Sequence, residues 1–256
     1  MIAVSSADAP VKRVKAEGYP EILFTNFVGD FAVDDGNAQG YLVEYTEAGG
    51  TIPPHFHGED QWQVVIGGGG RLGKHDADPV VVHYTDGFTP YGPIVAGEEG
   101  IGFYTLRAHA YLGVHVMPKE RSEMKRPARR ALTISTGVSP GDSGSPDDQT
   151  SVESLLDEED GVAAWTICLA PGESLTAPSP AGGGGQYHIV VNGAWLQGGK
   201  ELPPKSVAFV DPGEPPAEYT AGADGLEMVV TQFPKIPTVQ GLKEDAESGA
   251  AGAVER

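Results

Sequence analysis

The sequence feature that most constrains the fold of this chain is an internal repeat with a constant offset of 125 positions. Shifted by that distance, residues 61–68 (QWQVVIGG) lie on residues 186–193 (QYHIVVNG) without a gap. At the same offset, Pro79 coincides with Pro204 and Asp86 with Asp211. Matched Gln, Pro and Asp residues at one spacing are harder to obtain by chance than matched glycines. The repeat therefore predicts two structural units of similar fold in tandem.

The distribution of apolar residues indicates what each unit is made of. The chain contains 36 Gly and 21 Pro, and they interrupt many short apolar runs rich in Val, Ile, Tyr and Phe. Such a pattern is typical of antiparallel strands joined by frequent turns and not of a helical bundle. The strand-like runs are Gly40–Glu44, Gln61–Ile66, Pro79–Tyr84, Ile101–Arg107, Val162–Leu169, Gln186–Val191, Ser206–Val210 and Leu226–Phe233.

The net charge limits the classes of partner. The formal charge of -19 repels the phosphates of nucleic acids and anionic lipids, so neither a nucleic acid nor a membrane is expected as a partner. The first residues do not resemble a secretory signal, and no run approaches the roughly 20 apolar residues of a membrane span. We expect a cytoplasmic protein whose partner is a small-molecule substrate or ligand, and a homodimer is compatible with the sequence. The basic residues within 119–130 are expected to be solvated or to pair with the acidic block 157–160.

A histidine pair in the first half carries a family resemblance. Gly49, His55, His57 and Gly68 fall at the spacing of the first motif of the cupin superfamily, which the chain resembles there. The acid of that motif is replaced by Gln61. Residues 90–92 (PYG) resemble the second motif, but the histidine expected three positions later is a valine. The resemblance implies an all-β bicupin: two tandem antiparallel jelly-roll barrels with a short linker, of which the first keeps a degenerate metal motif.

The resemblance and the repeat together set the predicted boundaries. Residues 1–118 are expected to form the N-terminal barrel with the metal site, and residues 119–151 the linker. Residues 152–236 are expected to form the degenerate C-terminal barrel, and residues 237–256 a disordered tail. The second half has residues 176–180 (TAPSP) at the place of the histidine pair, so no metal site is expected there. Gln186 and His188 leave only a polar pair inside, and the second barrel is interpreted as structural.

Strand periodicity predicts which side chains share the interior of the first barrel. Residues two apart on a strand point to the same face, which places His55 beside His57, and Gln61 and Gln63 beside Val65. Buried polar groups at this density are costly unless they are hydrogen-bonded or coordinate a metal. Two neutral imidazoles with an open position suit a divalent first-row metal, for which Fe, Mn, Ni and Zn are the candidates.

The predicted ligand set is His55, His57, Gln61 and His83. Gln61 would add an amide oxygen, and His83 lies on a strand whose repeat partner carries Ala208. Gln63 and Tyr91 are expected to line the substrate pocket. Three alternatives stay open: a hydrogen-bonded interior without metal, a Gln61 that only orients His57, and a His83 that is an ordinary core histidine.

Two functional hypotheses follow from the resemblance and the interior. The first is a metal-dependent cupin enzyme of the dioxygenase, isomerase or lyase type that acts on a small polar organic molecule in the N-terminal barrel. The second is a non-catalytic bicupin that binds or senses a small ligand without a metal. The missing acid and the missing histidine of the two motifs favour the second hypothesis, and the surviving histidine pair favours the first.

Overall fold

The computed structural model describes residues 1–15, 21–33, 35–110, 113–141 and 150–240. Two short 3-10 helices, Arg121–Glu123 and Pro180–Gly182, lie between strands, and within the described residues no helix is long and apolar enough to cross a bilayer. The strands in chain order are β1 (Ile2–Val4), β2 (Val11–Val14), β3 (Ile22–Val28), β4 (Gln39–Tyr45), β5 (Thr51–Ile52), β6 (His55–Phe56), β7 (Gln61–Leu72), β8 (His75–Asp76), β9 (Val81–Thr85), β10 (Ile94–Arg107), β11 (His115–Val116), β12 (Ala131–Ser135), β13 (Ser151–Asp157), β14 (Ala163–Leu169), β15 (Ser174–Thr176), β16 (Gln186–Gln197), β17 (Lys200–Leu202), β18 (Val207–Val210) and β19 (Glu218–Gln232).

The described strands form two large antiparallel sheets and one small one. The first sheet has the order β12-β9-β7-β10-β4-β3-β2, with β5 beside β10 and β8 beside β7. The second has the order β1-β18-β16-β19-β14-β13, with β15 beside β19 and β17 beside β16. The small sheet pairs β6 with β11 and carries the first histidine of the predicted site. The predicted all-β class is confirmed.

Corresponding strands of the two halves keep the offset seen in the sequence. β7 begins at Gln61 and lies between β9 and β10, whereas β16 begins at Gln186, 125 residues later, and lies between β18 and β19. Both strands carry side chains alternately to the barrel interior and to the opposite face, as their period requires. The two halves are therefore built around equivalent central strands.

The two halves exchange their leading strands, which differs from the predicted boundaries. β1 precedes the first half but pairs with β18 of the second sheet, where Val4 lies opposite Val207. β12 precedes the second half but pairs with β9 of the first sheet, where Ile134 lies opposite Val82. The segment 119–151, predicted to be a linker, thus contains a strand of the first sheet. The prediction failed because such pairing is decided by contacts distant in sequence, and a five-residue run carries little local signal.

The start of the predicted tail is also ordered. The backbone N–H of Thr238 donates to Asp60 Oδ2 at 2.8 Å, and the Thr238 hydroxyl donates to Asp60 Oδ1. Asp60 lies in the loop between β6 and β7, so Thr238 lies against the first barrel. The expectation of a disordered tail from residue 237 is corrected for residues 237–240, and residues 241–256 lie outside the described residues.

Three apolar clusters divide the interior of the protein. One fills the first barrel around Val65, Val81 and Phe103, and another fills the second barrel around Trp195 and Met228. The largest combines residues of both halves and lies where the two sheets face each other. It includes Trp62, Val64, Ile66, Tyr187, Ile189 and Val191, which are the alternate residues of the two central strands.

Polar contacts across this junction are reciprocal. The Trp62 indole N–H donates to the carbonyl of Gln232 at 3.1 Å, and the Tyr187 hydroxyl donates to the carbonyl of Arg107 at 3.0 Å. These donors are 125 residues apart, and so are these acceptors. An ion pair of the basic segment with the acidic block, expected from the sequence, is formed by Arg130, whose guanidinium lies 2.6 Å from Asp160 Oδ2.

Candidate functional site in the first barrel

The predicted site residues converge from three strands and one loop. His55 lies on β6 and His57 follows it, Gln61 and Gln63 begin β7, and His83 is the central residue of β9. All five side chains are buried, with exposed fractions between 1% and 8%. Tyr91 is held close to the histidine pair because its backbone exchanges hydrogen bonds with the backbone of His55 at 3.0 and 3.1 Å.

The inward orientation follows from strand register. Gln63 lies opposite His83 on β9 and opposite Thr105 on β10. Two positions further along, Val65 lies opposite Val81, and both belong to the apolar cluster of the first barrel. Side chains directly opposite on adjacent strands share a face, so the polar residues lie at one end of the barrel interior and apolar walls line the rest. This combination is typical of small-molecule sites.

The hydroxyl of Tyr91 is the centre of the polar network. It lies 2.9 Å from His55 Nε2, 2.7 Å from Gln61 Nε2 and 3.2 Å from Gln63 Nε2. A hydroxyl donates one hydrogen bond and accepts two. These three neighbours therefore use its full capacity.

A backbone carbonyl decides the direction of these bonds. His55 Nδ1 lies 2.8 Å from the carbonyl oxygen of Pro53, which can only accept, so the proton of the neutral ring is on Nδ1. His55 Nε2 then carries a lone pair and accepts a hydrogen bond from the Tyr91 hydroxyl. Because that proton is used, Gln61 and Gln63 donate to the Tyr91 oxygen through their amide nitrogens. His57 has the same tautomer, since its Nδ1 lies 2.8 Å from the carbonyl of Gly113.

A buried arginine adjoins this network. Arg107 ends β10 and is 5% exposed. Its guanidinium donates to Gln61 Oε1 at 2.9 and 3.1 Å and to Gln39 Oε1 at 2.7 Å. It forms an ion pair of 2.9 Å with Glu59 and lies 3.2 Å from His57 Nδ1. The positive charge is balanced by one carboxylate, and the carboxamide oxygen of Gln61 is turned toward the guanidinium.

The buried histidines of the site are neutral. Burial lowers the pKa of His55, and burial together with the Arg107 charge lowers the pKa of His57 well below its ordinary value. Burial also lowers the pKa of His83 to about 3. The pKa of Tyr91 is raised, again mainly by burial, so its hydroxyl stays protonated. At neutral pH the interior therefore contains neutral rings that offer lone pairs, with one compensated charge pair beside them.

The residues present do not fit a divalent transition metal. Two imidazoles are available, but within the described ranges no group of three His, Cys, Asp or Glu side chains could hold a metal ion. His55 Nε2 already accepts from the Tyr91 hydroxyl, and Gln61 offers its oxygen to Arg107. A guanidinium 3.2 Å from His57 would also repel a dication in a desolvated site.

His83 is separate from the histidine pair. Its Nδ1 lies 2.8 Å from the Thr133 hydroxyl on β12, and its ring centroid is 5.4 Å from that of Tyr91. Two buried atoms of this part of the interior, His83 Nε2 and Gln63 Oε1, have no hydrogen-bond partner among the described residues. His83 therefore faces the interior as a polar wall residue beside Gln63.

The remaining histidines of the first half lie elsewhere. His75 is exposed on β8, and exposed His109 contacts the carbonyl of Gly36 through Nδ1 at 3.2 Å. His115 stacks on Phe56 with a centroid separation of 4.8 Å. None of the three adjoins the Tyr91 hydroxyl.

Sequence reasoning missed Arg107 and its partners Gln39 and Glu59. A signal for Arg107 existed, because Phe103, Thr105 and Arg107 alternate on β10 and Phe103 belongs to the interior cluster. The same periodicity that turned His83 inward also turns the arginine inward. No local signal existed for the other two, which reach the guanidinium from β4 and from the loop before β7.

The second barrel has a smaller polar interior. His188 Nδ1 lies 2.6 Å from the Tyr219 hydroxyl, and Gln186 donates to Gln232 Oε1 at 2.9 Å. Gln232 occupies the repeat position of Arg107, so the second barrel lacks the charge pair of the first. The surrounding residues are mainly apolar.

Comparisons with known proteins show the fold. No family model and no curated protein matches the chain. A solved structure of a candidate dioxygenase from Nostoc punctiforme matches with a TM-score of 0.59 at 13% identity, covering 91% of this chain and 82% of that one. An oxalate decarboxylase variant of Bacillus subtilis matches with a TM-score of 0.58 at 13% identity, covering 92% and 78%. The oxalate decarboxylase of Lactobacillus farciminis, solved as a formate complex, has a TM-score of 0.55 at 13% identity, covering 91% and 86%.

Proposed function

We propose, starting from the bicupin fold that the chain shares with these structures, that the first barrel binds a small polar organic molecule without a metal ion. The two jelly-roll barrels predicted from the sequence are the fold of the chain. In this function the first barrel carries the site and the second supports it through the shared apolar cluster.

One observation carries the proposal: the first barrel has unsatisfied atoms on two facing strands, whereas those of Gln186 and His188 in the second barrel lie on one strand, β16. Gln63 Oε1 and His83 Nε2 are buried atoms without a hydrogen-bond partner among the described residues, and their residues lie opposite each other on β7 and β9. An unsatisfied buried polar atom costs about 1–3 kcal/mol. A ligand that hydrogen-bonds to both atoms would remove this cost. The apolar walls around Val65 and Val81 would contact the rest of the ligand.

A metal-dependent enzyme is the second candidate function. It is favoured by the tautomers of His55 and His57. Each ring has its Nδ1 proton bonded to a carbonyl, which leaves a lone pair on Nε2, and this is the form that metal-binding histidines adopt. The names of the matched proteins point the same way. The Arg107 charge and the hydroxyl at His55 Nε2 oppose it, and for that reason the metal-free function is preferred.

The test combines metal analysis with ligand-dependent unfolding of the full chain, purified without a His-tag. After supplementation with Fe, Mn, Ni and Zn, we expect less than about 0.1 metal per chain, because a resident metal site would retain its ion. Against a set of small polyols, amides and hydroxy acids, at least one compound should raise the Tm in the presence of EDTA. A ligand present at 100 times its Kd stabilises by about 2.7 kcal/mol.

Two variants locate the effect. Gln63→Leu should reduce the ligand-dependent rise in Tm, whereas His188→Leu, at the same repeat position of the second barrel, should retain it in full. A stoichiometric metal, or a Tm rise that disappears with EDTA, would instead support the metal-dependent enzyme. If no compound stabilises the chain with or without metals, the proposed function is wrong.

A further inference from the structure

We infer that the ligand of the first barrel is an uncharged hydrogen-bond donor, such as a polyol or a primary amide, and not a carboxylate. This inference rests on the proposed function and specifies its ligand class. The reason is the polarity of the two unsatisfied atoms, Gln63 Oε1 and His83 Nε2. Gln63 Oε1 can be shown to be an acceptor from bonds made elsewhere in the network.

The Gln63 atom is an acceptor because of a chain of bonds that begins at a backbone carbonyl. The Pro53 carbonyl fixes the proton of His55 on Nδ1, so His55 Nε2 accepts a hydrogen bond from the Tyr91 hydroxyl. The Tyr91 oxygen can then only accept, and Gln63 must present its amide nitrogen to it at 3.2 Å. The other end of the Gln63 amide is its oxygen. It therefore requires a donor.

His83 Nε2 is the second unsatisfied atom. Its residue lies opposite Gln63 on β9, and the atom has no hydrogen-bond partner among the described residues. His83 Nδ1 lies 2.8 Å from the Thr133 hydroxyl, which can either donate or accept. His83 Nε2 can therefore pair with a hydroxyl or a primary amide in either tautomer of the ring.

Charge balance argues that the donor is uncharged. The Arg107 guanidinium is paired with Glu59 at 2.9 Å, so the charges of this interior already cancel. An ammonium or a carboxylate would enter a desolvated site without a counter-charge, which is strongly unfavourable. A carboxylate group would in addition bring only acceptors to Gln63 Oε1. Hydroxyl groups and amide N–H groups meet both requirements.

The test uses small probes of similar size that differ in the charge of one end group. Lactamide, lactate and 1-amino-2-propanol share a methyl group and a hydroxyl but end in an amide, a carboxylate and an ammonium, and ribitol and ribonate form a second pair. Affinity for the full chain is measured by calorimetry and by ligand-dependent Tm. We expect lactamide to bind at least about tenfold more tightly than lactate or the amine, and ribitol more tightly than ribonate, because each lost bond to a buried acceptor costs that much.

Variants connect the preference to the two atoms. Gln63→Leu removes the acceptor, and His83→Phe removes the unsatisfied nitrogen on the opposite strand. Each should lower lactamide and ribitol affinity by about tenfold, which reduces the preference over the charged probes. His188→Phe in the second barrel is the matched control and should change neither affinity.

The outcomes separate the inference from the proposed function. The charged probes are lactate, ribonate and the amine. If one of them binds more tightly than the neutral probes, and its binding depends on Gln63 and His83, the ligand class is wrong but the metal-free binding site remains. Binding of the neutral probes that neither variant weakens would overturn the inference by placing the ligand elsewhere. If no probe binds even at about 100 mM and none of the wider set stabilises the chain, both the inference and the proposed function are wrong.

Discussion

At the scale of single residues, the departure from the cupin motif at Gln61 is explained by Arg107. The guanidinium is already balanced by Glu59, so a neutral amide at position 61 keeps the interior free of net charge. An acid there would add a buried negative charge that only a further cation could balance. The missing acid and the inward arginine thus together keep this interior without net charge, and burial keeps the histidines neutral.

The neutral histidines predict a pH dependence. The pKa of His83 and of His188 is lowered to about 3 by burial, whereas both titrate near 6.5 when unfolded. Below about pH 6.5 the unfolded chain therefore binds more protons than the folded chain. As the pH decreases, each ring lowers the free energy of unfolding by up to about 1.4 kcal/mol per pH unit. Denaturant unfolding measured between pH 7.5 and 5.5 gives the free energy of unfolding as a function of pH. Its slope should be shallower for His83→Gln and His188→Gln than for the parent chain. Exposed His75→Gln serves as the control, and equal slopes for all four proteins would contradict the assignment.

At the scale of elements, the exchanged strands join each half to the other. β1 covers the edge of the second sheet beside β18, and Val4 packs against the apolar cluster shared by both halves. β12 does the same for the first sheet, where Thr133 also bonds His83. An uncovered strand edge presents unpaired backbone groups, and short edge strands limit this exposure. β1 and β12 are the terminal strands of their sheets, so each pairs with a strand of the other half and leaves only a short edge in its place.

The contribution of β1 can be measured by truncation. Deletion of Ile2–Ser6 removes the ladder to β18 and the packing of Val4, and it should lower the free energy of unfolding by roughly 1–3 kcal/mol. Deletion of Glu244–Arg256, which lies outside the described residues, is the comparison and should change it by less than about 0.5 kcal/mol, as for a surface segment. Denaturant unfolding of both proteins is the measurement. Equal losses would mean that β1 does not stabilise the second sheet.

At the scale of the whole molecule, Arg130 bridges the two halves by its charge. Its guanidinium lies 2.9 Å from Asp86 of the first half and 2.6 Å from Asp160 of the second. Asp86 is 4% exposed. Among the described residues its next cationic neighbour is Arg126, whose guanidinium lies 3.6 Å from the Asp86 carboxylate. These contacts hold the pKa of Asp86 below its usual value against the effect of burial. The basic segment expected to be a solvated connector thus supplies an ionic contact across the junction.

Substitution of Arg130 tests that contact. Arg130→Met leaves the buried Asp86 carboxylate with a weaker partner and should lower the free energy of unfolding by about 2–3 kcal/mol. Arg129→Met is the matched control, because Arg129 contributes its backbone N–H to Thr89 and this bond survives substitution. The control should lose less than about 0.5 kcal/mol. Similar losses for the two variants in denaturant unfolding would show that the bridge does not stabilise the protein.

The sequence alone determined the features that depend on local periodicity and on the repeat. The all-β class, the equivalence of β7 and β16, and the inward orientation of Gln61, Gln63 and His83 all follow from alternation along a strand or from the constant offset. These features could be predicted because each is encoded within a few consecutive residues or in an identity between the two halves.

The tertiary structure alone decided which partners those inward side chains find. Tyr91, Arg107 and Glu59 come from separate parts of the first half, and only the closed barrel brings them to the histidines and Gln61. The exchange of β1 and β12 is likewise a contact between halves that no local pattern specifies. The histidine pair therefore predicted a metal site from its spacing, whereas the fit to a metal depends on neighbours that arrive through long-range pairing, and here those neighbours are a hydroxyl and a guanidinium.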